Sequence, residues 1–285
     1  MSLVSTLDLV SQAAQRGTGI GAFNVIHLET AEGLVSAAER ADLPVILQLS
    51  HNCIKYHNGD ITPLGSAMLA LAKGSTAQVA VHLDHCESVD LAKRAVDLGF
   101  TSVMYDGSTL PIEENIASTQ DVVSYAHARG ATVEAELGEI GGKKGAHTPG
   151  VRTDPAEAKQ FVSDTGVDLL AVAVGSEHAM QERTARLDHD LIAKLKDAAG
   201  VPLVLHGSSG VADEEIQKGI RHGMTKINVS THLNGHFTRA IRSYLDASPE
   251  VTDSRKYVSA GRDALSAEAA RLLEVFHYVH DSQRS

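Results

Sequence analysis

Three histidines fall where short apolar runs end in polar residues: His85 in HLDH (82–85), His178 in GSEH (175–178) and His206 in HGSSG (206–210). Imidazole is the commonest protein ligand of a catalytic divalent metal, and three such ligands leave a position open for substrate, which makes zinc the natural ion. A chain with 15 histidines contains many that only bond a neighbour or face solvent, so the weight lies in three of them recurring at equivalent places. Asp84 directly precedes His85. A carboxylate beside a metal ligand suits proton transfer, with orientation of the histidine as the alternative role. Glu134 and Glu136, two apart in TVEAEL (132–137), share one face of a strand. Carboxylates buried in an interior are costly unless paired or metal-bound, so both are expected to support the metal site.

Two further segments suit an anion. Gly207-Ser208-Ser209-Gly210 and Asn228-Val229-Ser230-Thr231 combine small residues, which let backbone N–H groups approach a phosphate, with hydroxyl donors. Either alone is equally consistent with a helix cap. Together, next to a candidate metal site, they point to a phosphorylated ligand.

These residues need a scaffold that brings distant segments to one mouth, and the hydrophobic pattern supplies it. Short runs rich in β-branched residues recur eight times: GAFNV (21–25), PVILQLS (44–50), QVAVHLD (78–84), TSVMYD (101–106), TVEAEL (132–137), LLAVAVG (169–175), PLVLHG (202–207) and KINVS (226–230). Near-continuous apolar strands imply burial on both faces, and amphipathic stretches such as ETAEGLVSAAERA and SVDLAKRAVDLGF return each strand parallel to the last. The expectation is an α/β chain folded as a single (β/α)8 barrel over residues 1–285, whose strand C-termini carry the chemistry. Leu3, Leu7, Val10 and Ala14 predict a short N-terminal helix over the barrel bottom, and residues from about 232 to 276 read as C-terminal helices. The glycine-rich GEIGGKKGAHTPGVR (138–152) reads as a mobile flap, and the tail HYVHDSQRS as frayed.

Composition narrows the partners. A net charge of −11 disfavours nucleic acid and anionic membranes, and no apolar run approaches the ~18 residues of a membrane span. With no basic, apolar leader at the N-terminus, the expectation is a cytoplasmic enzyme of small molecules. Cys53 and Cys86 form no Cys-x-x-Cys pair and read as reduced thiols.

The stretches GAFNV, PVILQLS, HLDHCES (82–88), GFTSVMYDGS (99–108), EAELGEIGG (134–142), VPLVLHGSSGV (201–211), TKINVST (225–231) and DSRKY (253–257) resemble the class II fructose-bisphosphate and tagatose-bisphosphate aldolases over nearly the whole chain. The resemblance implies a lyase in which zinc polarises a ketose C2 carbonyl while the C3–C4 bond breaks, giving dihydroxyacetone phosphate and an aldehyde. It assigns His85, His178 and His206 to zinc, Glu136 to a carboxylate that can join the metal, and Asp84 to proton exchange with the C4 oxygen. It assigns Gly207, Ser208, Ser209, Asn228, Val229, Ser230 and Thr231 to the C1 phosphate, with Asn24, Ser50 and Ala179 also at the substrate. It further implies a monovalent cation (Na+ or K+) near that phosphate, a homodimer or homotetramer, and Arg255 near the distal phosphate, contributed from a neighbouring subunit.

Three departures stand out. The family usually has glycine after the strand-6 histidine and then a Tyr-Lys-Gly-Glu-Pro-like segment, where this chain has Ala179-Met180-Gln181-Glu182-Arg183. The flap carries Lys143, Lys144 and His147 in place of acidic residues, which leaves the C1 proton base unassigned. HNCIKYHNGD (51–60), Arg183 and Arg186 either recognise an unusual anionic end, as in a deoxy- or sulfo-sugar phosphate, or are solvated surface. A Schiff-base aldolase needs a lysine near a strand end; strands 6 and 7 have none, and Lys226 is expected at the wrong end of strand 8. A barrel hydrolase using metal-activated water fits the paired phosphate turns and HLDH less well, and a non-catalytic metal-binding barrel has only the altered flap and Ala179 in its support.

Overall fold

Each of the eight apolar runs becomes a strand in the computed structural model, which describes residues 2–137, 152–176 and 182–277. The strands are β1 (Ile20–Asn24), β2 (Val45–Ser50), β3 (Val79–Cys86), β4 (Ser102–Tyr105), β5 (Thr132–Glu136), β6 (Leu169–Ala171), β7 (Leu203–Leu205) and β8 (Met224–Val229). They pair in chain order, all parallel, and β8 closes on β1. This is the (β/α)8 barrel expected from the sequence. The predicted flap, apart from Arg152, lies outside the described residues, as does the tail beyond His277.

Helix α1 (Thr6–Arg16) precedes the barrel. The returning helices are α2 (Leu28–Ala41), α3 (His51–Tyr56), α4 (Thr62–Gly74), α5 (Val89–Leu98), α6 (Ile112–His127), α7 (Pro155–Thr165), α8 (His189–Ala199) and α9 (Asp213–His222), and α10 (Thr231–Ala247) and α11 (Ser254–His277) follow β8. Their starts are set by local chemistry. Ser88, Asp154 and Asp188 each accept a hydrogen bond from a first-turn N–H, satisfying donors that have no partner inside the helix.

Strand alternation divides the core in two. Phe23, Leu47, Val81, Val133, Leu203 and Ile227 point outward into a large cluster shared with the helices. Their neighbours Ala22, Ile46, Ala80, Met104, Ala171 and Val204 form a smaller cluster inside the barrel, together with Leu9, Val10 and Ala13 of α1. The N-terminal helix therefore plugs the bottom, as its spacing predicts. Above the plug the inward positions turn polar: Thr6 Oγ1 lies 2.7 Å from Ser102 Oγ, which lies 2.7 Å from His82 Nδ1. Glu134 and Lys226 continue this buried column, with Lys226 Nζ 2.8 Å from Glu134 Oε2.

Lys226 corrects one expectation. Strand β8 begins at Met224 instead of residue 226, so the lysine sits inside the barrel and also donates to Asn228 Oδ1 at 3.0 Å. Its ammonium is held by an ion pair below the mouth, which keeps the objection to Schiff-base chemistry on different grounds.

Outside the barrel, α11 seals β1 and α2. Ser266 Oγ donates to the Gly33 carbonyl at 2.5 Å, and a Cβ at Gly33 would lie 3.2 Å from the Arg262 carbonyl, so only glycine allows this approach without a shift. Fully buried Phe276 packs on Phe23 with ring centroids 6.4 Å apart. Phe276→Ala should cost about 3–4 kcal/mol, lowering the thermal midpoint by roughly 6–15 °C in a calorimetric scan; an unchanged midpoint would remove α11 from the folded core.

Candidate active site

The register of β3 shifts between Leu83 and Cys86, and His85 takes a left-handed backbone (φ 48°), rare for a residue with a Cβ. This bulge breaks the alternation that would send adjacent side chains to opposite faces. Asp84 and His85 consequently both line a cavity of about 200 Å³ at the C-terminal mouth of the barrel. Asn24 and Ser50 enter it from the ends of β1 and β2, His206, Gly207 and Ser209 from the β7 turn, and Asn228, Ser230 and Thr231 from the end of β8 and the start of α10. All ten of these lining residues are among those the sequence singles out. A larger cavity of about 490 Å³ between α6 and α7, lined by Leu110, Ile116 and Phe161 among others, has no histidine among the described residues that line it. Size alone does not locate the chemistry.

His85 Nε2 and His206 Nδ1 face each other at 2.9 Å, and each ring's other nitrogen meets a buried carboxylate. His85 Nδ1 lies 3.0 Å from Asp106 Oδ2, and His206 Nε2 lies 3.0 Å from Glu134 Oε1. If the ring protons sit toward those carboxylates, both facing nitrogens carry lone pairs. Such an arrangement calls for a cation between them, and Asp84 brings a carboxylate oxygen within 4.8 Å of a nitrogen of each ring. Glu136 Oε2 lies 3.9 Å from His85 Nδ1, and Glu136, Asp106 and His85 form an overlapping group of possible ligands. The donor set of imidazole nitrogen and carboxylate oxygen suits zinc or a similar divalent ion. His178 and Ala179 lie outside the described residues.

Asp84 is 4% exposed. Its Oδ2 accepts a hydrogen bond from Asn24 Nδ2 at 2.8 Å, and Gln48 Nε2 in turn donates to Asn24 Oδ1 at 3.3 Å. Its Oδ1 is buried with no hydrogen-bond partner. Burial alone would raise this carboxyl, but the His85 and His206 rings, the Lys226 ammonium and the Asn24 amide together lower it to about 2. The group is therefore an ionised acceptor at neutral pH beside the cavity, with one buried oxygen that no described residue hydrogen-bonds.

The two anion turns are tied to each other. Ser208 Oγ donates to the Asn228 carbonyl, while Ser209 Oγ accepts from the N–H groups of Ser230 (3.4 Å) and His232 (3.2 Å). Gly207 turns the chain in the left-handed region (φ 67°). With the N-terminus of the 17-residue α10 at the rim, the turns form a polar, electropositive cradle.

Not every sequence-assigned residue faces the cavity. Ser208 fastens the turns together and does not line it, and the Val229 side chain joins the outer core while its backbone pairs with Phe23 of β1. Arg255 lies at the start of α11, 90% exposed and bonded to Asp253, and does not reach the mouth within its own chain. Arg183 is committed to the Val211 carbonyl (2.7 Å) and Asp213 Oδ1 (2.6 Å), and Arg186 is 85% exposed. Neither lines the described cavity. Burial pushes the thiols of Cys53 and Cys86 up to about 11, so both are inert, in line with their reading as reduced cysteines. The sequence reading missed Asp106, His82 and Gln48. A signal was present, since His82 and Gln48 stand two positions before Asp84 and Ser50 and so share their inward face.

Comparison with known proteins agrees with this geometry. The family described as fructose-bisphosphate aldolase class II matches residues 4–280. A fructose-bisphosphate aldolase of Geobacillus stearothermophilus is 42% identical over 270 residues, covering 94% of each chain. One from Staphylococcus aureus is 37% identical over 273 residues, 93% of this chain and 94% of that protein. The crystal structure of the YdjI aldolase of Escherichia coli K12 superposes with a TM-score of 0.84 at 31% identity, covering 96% of this chain and 97% of that one. With eight parallel strands delivering imidazoles, carboxylates and two anion turns to one mouth, the chain belongs to the class II fructose-bisphosphate aldolase family and is a lyase.

Proposed function

We propose that the protein is a metal-dependent aldolase that reversibly cleaves a ketose 1,6-bisphosphate, fructose or tagatose bisphosphate, to dihydroxyacetone phosphate and an aldehyde. The observation that carries this reading is the pair of imidazole nitrogens facing each other at 2.9 Å beside Asp84, whose buried Oδ1 has no hydrogen-bond partner among the described residues. The names of the relatives support fructose bisphosphate as the first substrate to test.

His85 and His206, with His178 and Glu136 as further ligands, would hold the ion. When bound, zinc supplies Lewis acidity to the substrate carbonyl and offsets the negative charge that develops as the carbon–carbon bond breaks. The protein's own groups do the rest. Asp84 takes the proton of the C4 hydroxyl as the C3–C4 electron pair stays with the three-carbon fragment, and returns it in the condensation direction. Asn24 holds the other carboxylate oxygen, so Asp84 presents Oδ1 in a fixed direction. Ser209, Ser230 and Thr231, with Gly207 and Asn228, line the space for the C1 phosphate, which keeps the reacting carbons at the metal side of the cavity. A monovalent cation beside that phosphate, a homodimer or homotetramer that delivers Arg255 to the distal phosphate, and a cytoplasmic location are parts of the same reading.

Two outcomes follow. Purified protein should release dihydroxyacetone phosphate from fructose bisphosphate in a chelator-sensitive manner, and Asp84→Asn should retain zinc while losing about 10²–10⁴-fold in kcat; near-normal turnover in that variant would exclude Asp84 as the proton carrier. Glu134→Gln, which weakens the hold on His206, should reduce zinc affinity about 10–100-fold in competition with a fluorescent chelator, and unchanged affinity would contradict an orienting role.

A further inference from the structure

One more group of ligating side chains converges away from the catalytic mouth. His232 and His236 stand four residues apart on α10, so their rings lie side by side on one face of the helix, with centroids 4.9 Å apart and planes tilted by 60°. Glu268 reaches across from α11, its Oε1 2.6 Å from His232 Nε2. One atom from each of the three residues lies within 4.8 Å of the other two. None of the three has a part in the cleavage chemistry described above.

The carboxylate is held firmly. Arg271 grips Glu268 through two hydrogen bonds, Nε to Oε2 at 2.9 Å and Nη2 to Oε1 at 2.7 Å. Asp213 in turn binds Arg271 and Arg183, each at 2.6 Å. This network charge-balances itself, two guanidinium groups against two carboxylates, and it fixes the third ligand as metal sites require of their outer partners. The His232 and Glu268 side chains remain 19% and 11% exposed, which leaves an ion a path from solvent.

We propose that His232, His236 and Glu268 form a second binding site for a zinc-class divalent ion. Two imidazoles and one carboxylate are a complete set for such an ion with one position left to water. The helical spacing supplies the histidine pair, and the packing of α10 on α11 supplies the carboxylate. The ion replaces the proton between His232 Nε2 and Glu268 Oε1, while Arg271 keeps its bond to Oε2. Arg239 adds positive charge near His236, so this site binds more weakly than the catalytic one. His232 also donates its backbone N–H to Ser209 Oγ in the anion cradle, and Thr231 beside it lines the catalytic cavity. Occupancy thus stiffens the phosphate side of the mouth.

The test is a count of ions on chelator-stripped full-length protein, titrated with Zn2+ by calorimetry and with Co2+ by its visible absorption. Wild type should bind two ions per chain, the second more weakly. His236→Ala and Glu268→Gln should each bind one, with cleavage at saturating substrate retained in His236→Ala. His85→Ala should lose the tight site and keep the weak one. A single ion on wild type, or two on both His236→Ala and Glu268→Gln, would overturn the proposal. Should one variant fail to fold, as read by far-ultraviolet circular dichroism, the other decides. The count does not depend on turnover, so a protein that binds two ions yet cleaves no ketose phosphate would defeat the aldolase reading and leave this one standing.

Discussion

The site depends on two carboxylate–imidazole pairs, Asp106 with His85 and Glu134 with His206, each at 3.0 Å. A neutral imidazole carries one proton and presents one lone pair, and which nitrogen does which is decided by the partner on the far side of the ring. Here both partners lie away from the cavity, and with the ring protons on that side the nitrogens turned inward are the ones that carry lone pairs. Without these two carboxylates the rings could rotate or exchange tautomers, and the convergence of side chains from different strands would be lost. Asp106 is itself positioned by its backbone N–H on the Cys86 carbonyl (2.8 Å), and Glu134 by its register opposite Met104 in β4.

Holding a carboxylate such as Glu134 fully buried is expensive, since removing an ion from water costs several kcal/mol even after relaxation. Lys226 offsets that cost at 2.8 Å, and His82 stands nearby with its Nε2 3.7 Å from Glu134 Oε2. Burial holds the His82 ring well below its ordinary protonation range, so it contributes a neutral ring, not a second positive charge. The barrel interior is thus graded, apolar over the α1 plug and polar toward the mouth. Its upper half gives up hydrophobic packing for a fixed site, while the outer layer of strand-to-helix contacts carries the stability of the fold.

Much of this was legible in the sequence. Eight apolar runs gave the strand number and hence the closed barrel, because parallel strands buried on both faces leave an unmistakable pattern. The adjacency of Asp84 and His85 was legible, but the form of the break in alternation that turns both to the mouth, a bulge with a left-handed His85, was found only in the structure. Strand ends were less legible. The apolar run 169–175 suggested a long β6, yet the strand stops at Ala171, since Val172 and Val174 remain buried outside regular pairing and burial, not pairing, set the pattern. Lys226 was misplaced for a related reason: Met224 and Thr225 look like the end of a helix-to-strand turn, and only the pairing of Leu203 with Met224 draws them into β8. Ser208 and Val229 belong to segments whose composition fits phosphate binding. A motif names a turn, however, and only three-dimensional geometry separates the residues that line a cavity from those that fasten the turn together.

The most direct measurement is anomalous diffraction at the zinc absorption edge from crystals of the zinc-loaded protein. An anomalous peak is expected at bonding distance from both His85 Nε2 and His206 Nδ1, with Asp106 and Glu134 still bonded to the opposite nitrogens. A mouth with no peak after zinc loading, or an ion bound without either of these imidazoles, would contradict this.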